Sequence, residues 1–296
     1  MNPRIPILIV LMTLSGPAAS RAEILYAIGN GGSTLVRIDS ANPAGATGLG
    51  NFSGAGSFLD SLDFRPSTGQ LYGYNSLANA YYTVNLANGA LTKVSAANVG
   101  AATNTFQLGM DFNPTVDLLR VVTDSTQNIV YNPNSGTAAA FTALNYAPTD
   151  ALAGIVPVVN ENAYTNNFAG ALTTQQYVLD YDANSLATLA NNTGVLNTVG
   201  LIRLNGSTLD FDAYTGFDIV TRGGVNTAYA LLRVNGVSGL YTIDLANGNA
   251  TSLGAIRGFG DIYGLSATIV PEPASVMLLG TGLAIAFVAV RRLRAA

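Results

Sequence analysis

Three aspartates recur at one position of a repeated strand: Asp63 in "SLDFRP", Asp111 in "GMDFNP" and Asp218 in "GFDIV". Carboxylates gathered at one place support two kinds of chemistry. They offer the oxygen ligands that a hard cation takes, and they act as acid and base where burial shifts their pKa values. A third use is structural, because an Asp at a strand end bonds nearby backbone N–H groups. That use is the commonest fate of such residues. The set is also incomplete, since Val156 lies near this position in the fourth repeat and Gly264 in the closing strand. Asp63, Asp111 and Asp218 therefore stand as candidates for catalysis without an assigned catalytic residue.

The stretch "DYDANS" opens like a calcium loop, with Asp180, Asp182 and Asn184 at alternate positions. It has Ser185 where the loop needs glycine and Asn191 where it needs glutamate. An Asx-rich turn explains it better, and the same reading covers Asp39, Asn85, Asn132 and Asp244. Tyrosines recur at Tyr26, Tyr72, Tyr164 and Tyr229, with Arg120 in the matching slot of the third repeat. An exposed tyrosine face would bind glycans, but packing between sheets is the commoner role. "GNGGS" from Gly29 has neither the lysine nor the helix pattern of a phosphate-binding loop.

Other chemistries are excluded by composition. The chain has no Cys and no His. Thiolate catalysis, disulfides, a Ser-His-Asp triad and a His-ligated zinc site are all ruled out. No cofactor is expected. Absence of Trp weakens, without excluding, a stacking surface for sugars.

The elements that must position these residues come from a repeat. "YTVNLANGALTKV" from Tyr82 and "YTIDLANGNATSL" from Tyr241 each read as strand, Asn-Gly turn, strand. Between and around them lie "LVRID", "NIVYN" and "YVLDY". The shared Asx positions, Asp39, Asn85, Asn132, Asp180 and Asp244, are spaced 46, 47, 48 and 64 residues apart. The long last gap holds "ANNTGVLNTVG", read as an inserted loop or hairpin. A preceding strand recurs as "LYAIG", "LYGYN", "LLRVV", "AYTNN" and "AYALL". A leading strand recurs as "SLDFRP", "GMDFNP", "GIVPVV" and "GFDIV".

Four strands in nearly fifty residues is the size of a propeller blade. The first unit lacks a leading strand, and the chain ends with the spare strand "GDIYGLSATIV". The expected fold is all-β: a five-bladed β-propeller closed by the C-terminal strand, with a β-sandwich or solenoid as the less favoured alternative. Closure removes sheet edges and pins the termini.

Both ends read as targeting segments. Residues 1–22 have a basic start at Arg4, the apolar run "IPILIVLMTL" and small residues in "GPAASRA", which together form a secretory signal peptide. The domain expected over 23–269 carries sixteen acidic side chains against eight basic ones, leaving a net charge of minus eight. Without basic clusters it suits neither nucleic acid nor anionic lipid. Residues 274–290 form an apolar run of roughly 25 Å as a helix, just enough for a thin bilayer. Arg291, Arg292 and Arg294 follow it and would stay in the cytoplasm.

"VPEP" at Val270–Pro273, then the apolar run, then the arginine cluster, resembles the PEP-CTERM sorting signal of Gram-negative bacteria. The resemblance implies recognition by a membrane-embedded exosortase, with Pro271, Glu272 and Pro273 recognised in a substrate. It also implies cleavage near them and delivery to the cell surface or an exopolysaccharide matrix. The membrane would hold the chain only until that processing. The repeat region, through "SLDFRPSTGQLYGY", "GMDFNPTVDLLRVV" and the "LANG" turns, resembles the family called domain of unknown function 4394. The function expected is a non-enzymatic binding or structural module that meets exopolysaccharide or surface proteins. The alternative is an exported hydrolase or lyase working through the aspartates in the propeller channel, with or without a divalent cation.

Overall fold

The structure is a computed structural model that describes residues 22–54 and 57–268. The signal peptide expected over 1–22 lies outside these residues except for its last position, as do the sorting motif, the apolar run and the arginine tail. Among the described residues the one helical element is a 3₁₀ turn at Asn191–Thr193. No helix there is long and apolar enough to cross a membrane.

Five sheets form a closed ring. β1 (Ile24–Gly29), β2 (Thr34–Asp39) and β3 (Asn42–Asn51) belong to the first blade. β4 (Ser61–Phe64), β5 (Leu71–Asn75), β6 (Ala80–Val84) and β7 (Leu91–Lys93) make the second. β8 (Leu108–Asn113), β9 (Leu118–Thr123), β10 (Asn128–Asn132) and β11 (Thr137–Ala140) make the third. β12 (Asn145–Tyr146) joins the outer edge of the fourth blade, built from β13 (Val159–Tyr164), β14 (Gln176–Asp180), β15 (Ser185–Leu189) and β16 (Val195–Leu201). β17 (Arg203–Leu204) and β18 (Ser207–Thr208) extend the outer edge of the fifth, built from β19 (Gly216–Arg222), β20 (Val225–Val234), β21 (Val237–Ile243) and β22 (Asn249–Ala255).

β23 (Tyr263–Ala267) returns as the innermost strand of the first blade, antiparallel to β1, with Tyr26 opposite Ser266. This is the predicted ring closure. Ion pairing reinforces it, since Arg222 of the fifth blade binds the Glu23 carboxylate at 2.8 Å and also the Thr268 carbonyl oxygen.

The apolar residues fall into five clusters, one for each joint between neighbouring blades. Along β1, Leu25 and Ala27 pack toward the fifth blade, while Tyr26 and Ile28 pack toward the second. Both faces of such a strand are covered, so it reads as a continuous apolar run without alternation. Full burial of each Leu or Ile contributes on the order of 1.5–3 kcal/mol, and Leu25, Ile28, Leu35 and Ile38 are all fully buried.

The Asx positions make turns. Asp39, Asn85, Asn132, Asp180 and Asp244 each accept, on Oδ1, the backbone N–H two residues on. In the two "LANG" turns the glycine alone takes the left-handed conformation, with φ of 74° at Gly89 and 81° at Gly248. A Cβ at Gly89 would lie 2.9 Å from the Asn51 carbonyl oxygen, and one at Gly248 would lie 2.7 Å from that of Leu201. These turns need glycine both for conformation and for contact with the preceding blade.

The fourth blade differs from the expectation. "GIVPVV" is not its leading strand; Val156 is 70% exposed on a loop. The inner strand is β13, "VNENAY". "AYTNN" begins with the last two residues of β13, and "YVLDY" is the second strand rather than the third. "ANNTGVLNTVG" is not an insertion, since it holds the 3₁₀ turn and most of β16. The gap of 64 residues arises because Asp180 sits one strand early in its blade. In β13, Asn160, Glu161 and Asn162 give a buried strand a polar sequence.

Candidate functional site

The inner strands β4, β8, β13, β19 and β23 line the middle of the ring, each touching the next. Each pairs with its own blade along one edge and leaves the other edge unpaired toward the axis. Buried N–H groups on that edge need acceptors. Cross-strand register identifies one equivalent position per blade: Asp63 opposite Tyr72, Asp111 opposite Arg120, Asp218 opposite Tyr229, Ser266 opposite Tyr26 and Ala163 opposite Tyr177. The ring thus has Ser266 where Gly264 was expected and Ala163 where Val156 was expected. Tyr164 belongs to the inner strand, and Tyr177 fills the tyrosine slot of the fourth blade. Tyr26, Tyr72, Tyr164 and Tyr229 are all buried, so they present no sugar-binding face.

These side chains serve the free edges around the ring. The Ser266 hydroxyl accepts the Phe64 N–H at 3.0 Å and donates to Asp63 at 2.7 Å. Asp63 accepts the Phe112 N–H at 2.8 Å. The Tyr164 N–H lies close enough to Asp111 to favour its charged form. Ala163 has no polar group, and Glu161, two residues earlier on β13, stands beside the N–H of Phe217, which favours its charged form. Asp218 accepts the N–H of Ala267 at 2.6 Å and that of its neighbour Ile219. Bonds of ordinary geometry thus bridge the first to the second blade, the second to the third and the fifth to the first.

The ring also concentrates acid. One oxygen from each of Asp63, Asp111 and Asp218 lies within 4.8 Å of the others, and all three residues are buried. Burial, and then the neighbouring Asp218, hold the Asp63 carboxyl well above the usual carboxylate range. Asp111 is raised likewise, by burial and then by Asp63 and Asp218. Burial also raises Glu161. Asp218 is pushed up to about 6 by burial, which its bonds from Ala267 and Ile219 partly offset. Oδ1 of Asp111 has no hydrogen-bond partner among the described residues.

The second candidate set does not converge in this way. Asp180 spends both oxygens, accepting Tyr146 OH and the Val158 N–H on Oδ2 and two turn amides on Oδ1. Asn184 accepts the Phe211 N–H. Pro271, Glu272, Pro273, Arg291, Arg292 and Arg294 lie outside the described residues. Sequence reasoning missed Glu161 and Ser266. Ser266 was within reach through the shared spacing in "GLS", "GMD" and "GFD"; Glu161 had no such signal.

Residues 34–266 match the profile of the domain of unknown function DUF4394. The chain belongs to the DUF4394 family. Residues 270–293 match the PEP-CTERM protein-sorting motif. That motif marks this DUF4394 protein as exported, directed to the cell surface and processed by an exosortase. No curated protein matches it in sequence.

Among solved structures, the DUF4394 propeller is similar to a chain of a nidogen–laminin complex, at 12% identity and a TM-score of 0.44, covering 83% of this chain and 98% of that one. It is similar to a structural-genomics protein of unknown function from Bacteroides thetaiotaomicron at 14% identity and a TM-score of 0.48, covering 83% and 61%. It is also similar to hydrazine synthase of Kuenenia stuttgartiensis at 13% identity and a TM-score of 0.40, covering 67% and 49%.

Proposed function

We propose that the protein is a non-enzymatic binding or structural module of the cell surface or of an exopolysaccharide matrix. It would be made with a signal peptide over 1–22 and held by the apolar run 274–290 until exosortase processing near Pro271–Pro273. The observation that carries the reading is the burial and bonding of the channel acids. The repeated carboxylates, the best candidates for catalysis, are buried, and Asp63 and Asp218 are engaged with backbone amides of the next blade. A general acid or base must reach its substrate, and these groups do not reach solvent. The test is retention of the exported protein on polymer from its producer, alongside a hydrolase and lyase screen. Retention without turnover supports the reading; turnover that Asp111→Asn abolishes overturns it.

A second reading has its own support. Oxygens that share one calcium ion at 2.3–2.6 Å lie no more than about 5 Å apart, and the three aspartates meet that limit with Asp111 Oδ1 unengaged. In this reading the channel holds a divalent cation, and the protein is a hydrolase or lyase. Metal analysis of the purified protein and its thermal midpoint at pH 8, with calcium or with chelator, decide between them. One tightly held ion per chain, with a midpoint that falls in chelator and does not do so in Asp111→Asn, favours the cation.

A further inference from the structure

Four blades place tyrosine at the position facing the inner strand: Tyr26, Tyr72, Tyr177 and Tyr229. The third blade places Arg120 there. A departure from a repeat that breaks a local rule points to function rather than folding. Arg120 is only 5% exposed, and a buried cation is costly unless paired. Arg65, Arg222 and Arg233 each bind a carboxylate. Arg120 has none among the described residues.

Neutral groups aim the Arg120 guanidinium instead. It donates to Asn128 Oδ1 at 2.6 Å and Asn192 Oδ1 at 2.7 Å, and its Nε lies 3.5 Å from the Tyr164 hydroxyl. Those contacts occupy three of its five N–H donors, leaving two. Its carbon Cζ sits 5.7 Å from the centre of the Phe141 ring. The guanidinium lines a cleft of about 240 Å³ with Asn113, Val116, Phe141 and Asn192 on its walls. Phe141 is 40% exposed there.

We infer that this cleft binds one hexuronate unit of an acidic polysaccharide; the domain's net charge of minus eight opposes a dense polyanion, so recognition is of a single carboxylate by Arg120. The sugar carboxylate takes the two free N–H groups of Arg120, whose planar fork suits two-point recognition of a carboxylate. Amides of Asn113 and Asn192 meet the ring hydroxyls, and the exposed part of Phe141 packs against the apolar side of the sugar. A cleft of this volume is smaller than those that enclose a drug-sized ligand; it holds a single ring of a longer chain. The inference rests on the reading of the protein as a binding module and names its ligand class.

The test is calorimetric titration of the full chain in detergent with a galacturonate oligosaccharide and with a neutral galactose oligosaccharide of the same length. Sodium acetate at matched ionic strength serves as a third ligand. The galacturonate is expected to bind at least tenfold more tightly than the neutral chain or acetate. Arg120→Gln should remove at least tenfold of that affinity. Asn192→Ala, at an exposed position on the cleft wall, should weaken it about threefold or more, and it carries the test if Arg120→Gln does not fold. Equal affinity for the acidic and neutral chains overturns the inference while leaving a sugar-binding module standing. Unchanged galacturonate affinity in a folded Arg120→Gln, or no binding of galacturonate at all, overturns it too. In that last case retention on native polymer judges the broader reading separately.

Discussion

Asp63 and Phe112 belong to adjacent blades, and the carboxylate of the first accepts the backbone N–H of the second at 2.8 Å. Phe112 follows Asp111, whose carboxyl stands beside the Tyr164 N–H of the blade beyond. At Asp63 the side chain closes the joint ahead, and the amide after it, that of Phe64, closes the joint behind through Ser266. This relationship explains why an acidic residue recurs in the middle of an apolar strand.

Asp63→Ala removes the acceptor for Phe112 N–H and for the Ser266 hydroxyl. A buried group left without its partner costs about 1–3 kcal/mol, so the loss should be roughly 2–4 kcal/mol. Asp63→Asn keeps an acceptor oxygen and cannot ionise, so its cost should stay below about 1 kcal/mol. Urea unfolding at pH 7 checks the order; an Asn variant as unstable as the Ala variant would contradict it.

Stability should fall as pH rises. Asp218 has its pKa raised to about 6, and Asp63, Asp111 and Glu161 move in the same direction. A carboxyl raised in the folded state contributes stability that is complete below its unfolded value and is lost as pH climbs through the folded one. The shift of Asp218 corresponds to roughly 3 kcal/mol. In chelator, unfolding free energy should be greater at pH 5 than at pH 8, and Asp218→Asn should flatten the difference. Stability that increases over this interval would count against the protonated cluster.

Ring closure should be cooperative. Leu265 on β23 is buried in the joint between the first and fifth blades, so Leu265→Ala should cost about 2–5 kcal/mol. Removing β23 exposes the edge of β1 and the N–H of Phe64, and it should abolish the single unfolding transition. Calorimetry of both variants tests this, and a truncated chain that still unfolds in one sharp step refutes it.

Two glycines offer an internal control. Gly89 and Gly69 have similar φ values of 74° and 69°, but a Cβ at Gly89 meets the Asn51 carbonyl oxygen at 2.9 Å while one at Gly69 meets nothing within 4 Å. Each alanine carries the left-handed cost of about 1–2 kcal/mol; Gly89→Ala should add further destabilisation by pushing the second blade from the first. Equal effects in thermal unfolding would show that the turn does not set blade contact.

Much of this architecture was legible. The Asx turns at Asn85 and Asp244, the spare strand ending at Ala267 and the aspartates of β4, β8 and β19 all follow from repeated spacing, because blades of one size place like residues alike. The fourth blade was not legible, because β13 is buried yet polar, its Glu161 replacing the work of the missing aspartate at Ala163. Ser266 was obscured by the irregularity near Gly264, whose φ is 58° and where the pairing with β1 shifts register. The Arg120 cleft depends on Asn192 and Phe141, far apart in the chain, and no local pattern joins them.

The measurement closest to the central claim is native-state amide hydrogen exchange at Phe112, Tyr164 and Ala267. If the channel acids bridge the blades, these amides exchange only through large openings. In Asp63→Ala, Phe112 should then lose about ten- to hundredfold more protection than Tyr164 or Ala267, in line with one lost buried bond. Protection at Phe112 that falls no further than at the other two would show that Asp63 does not close the joint, and the acids would need another purpose.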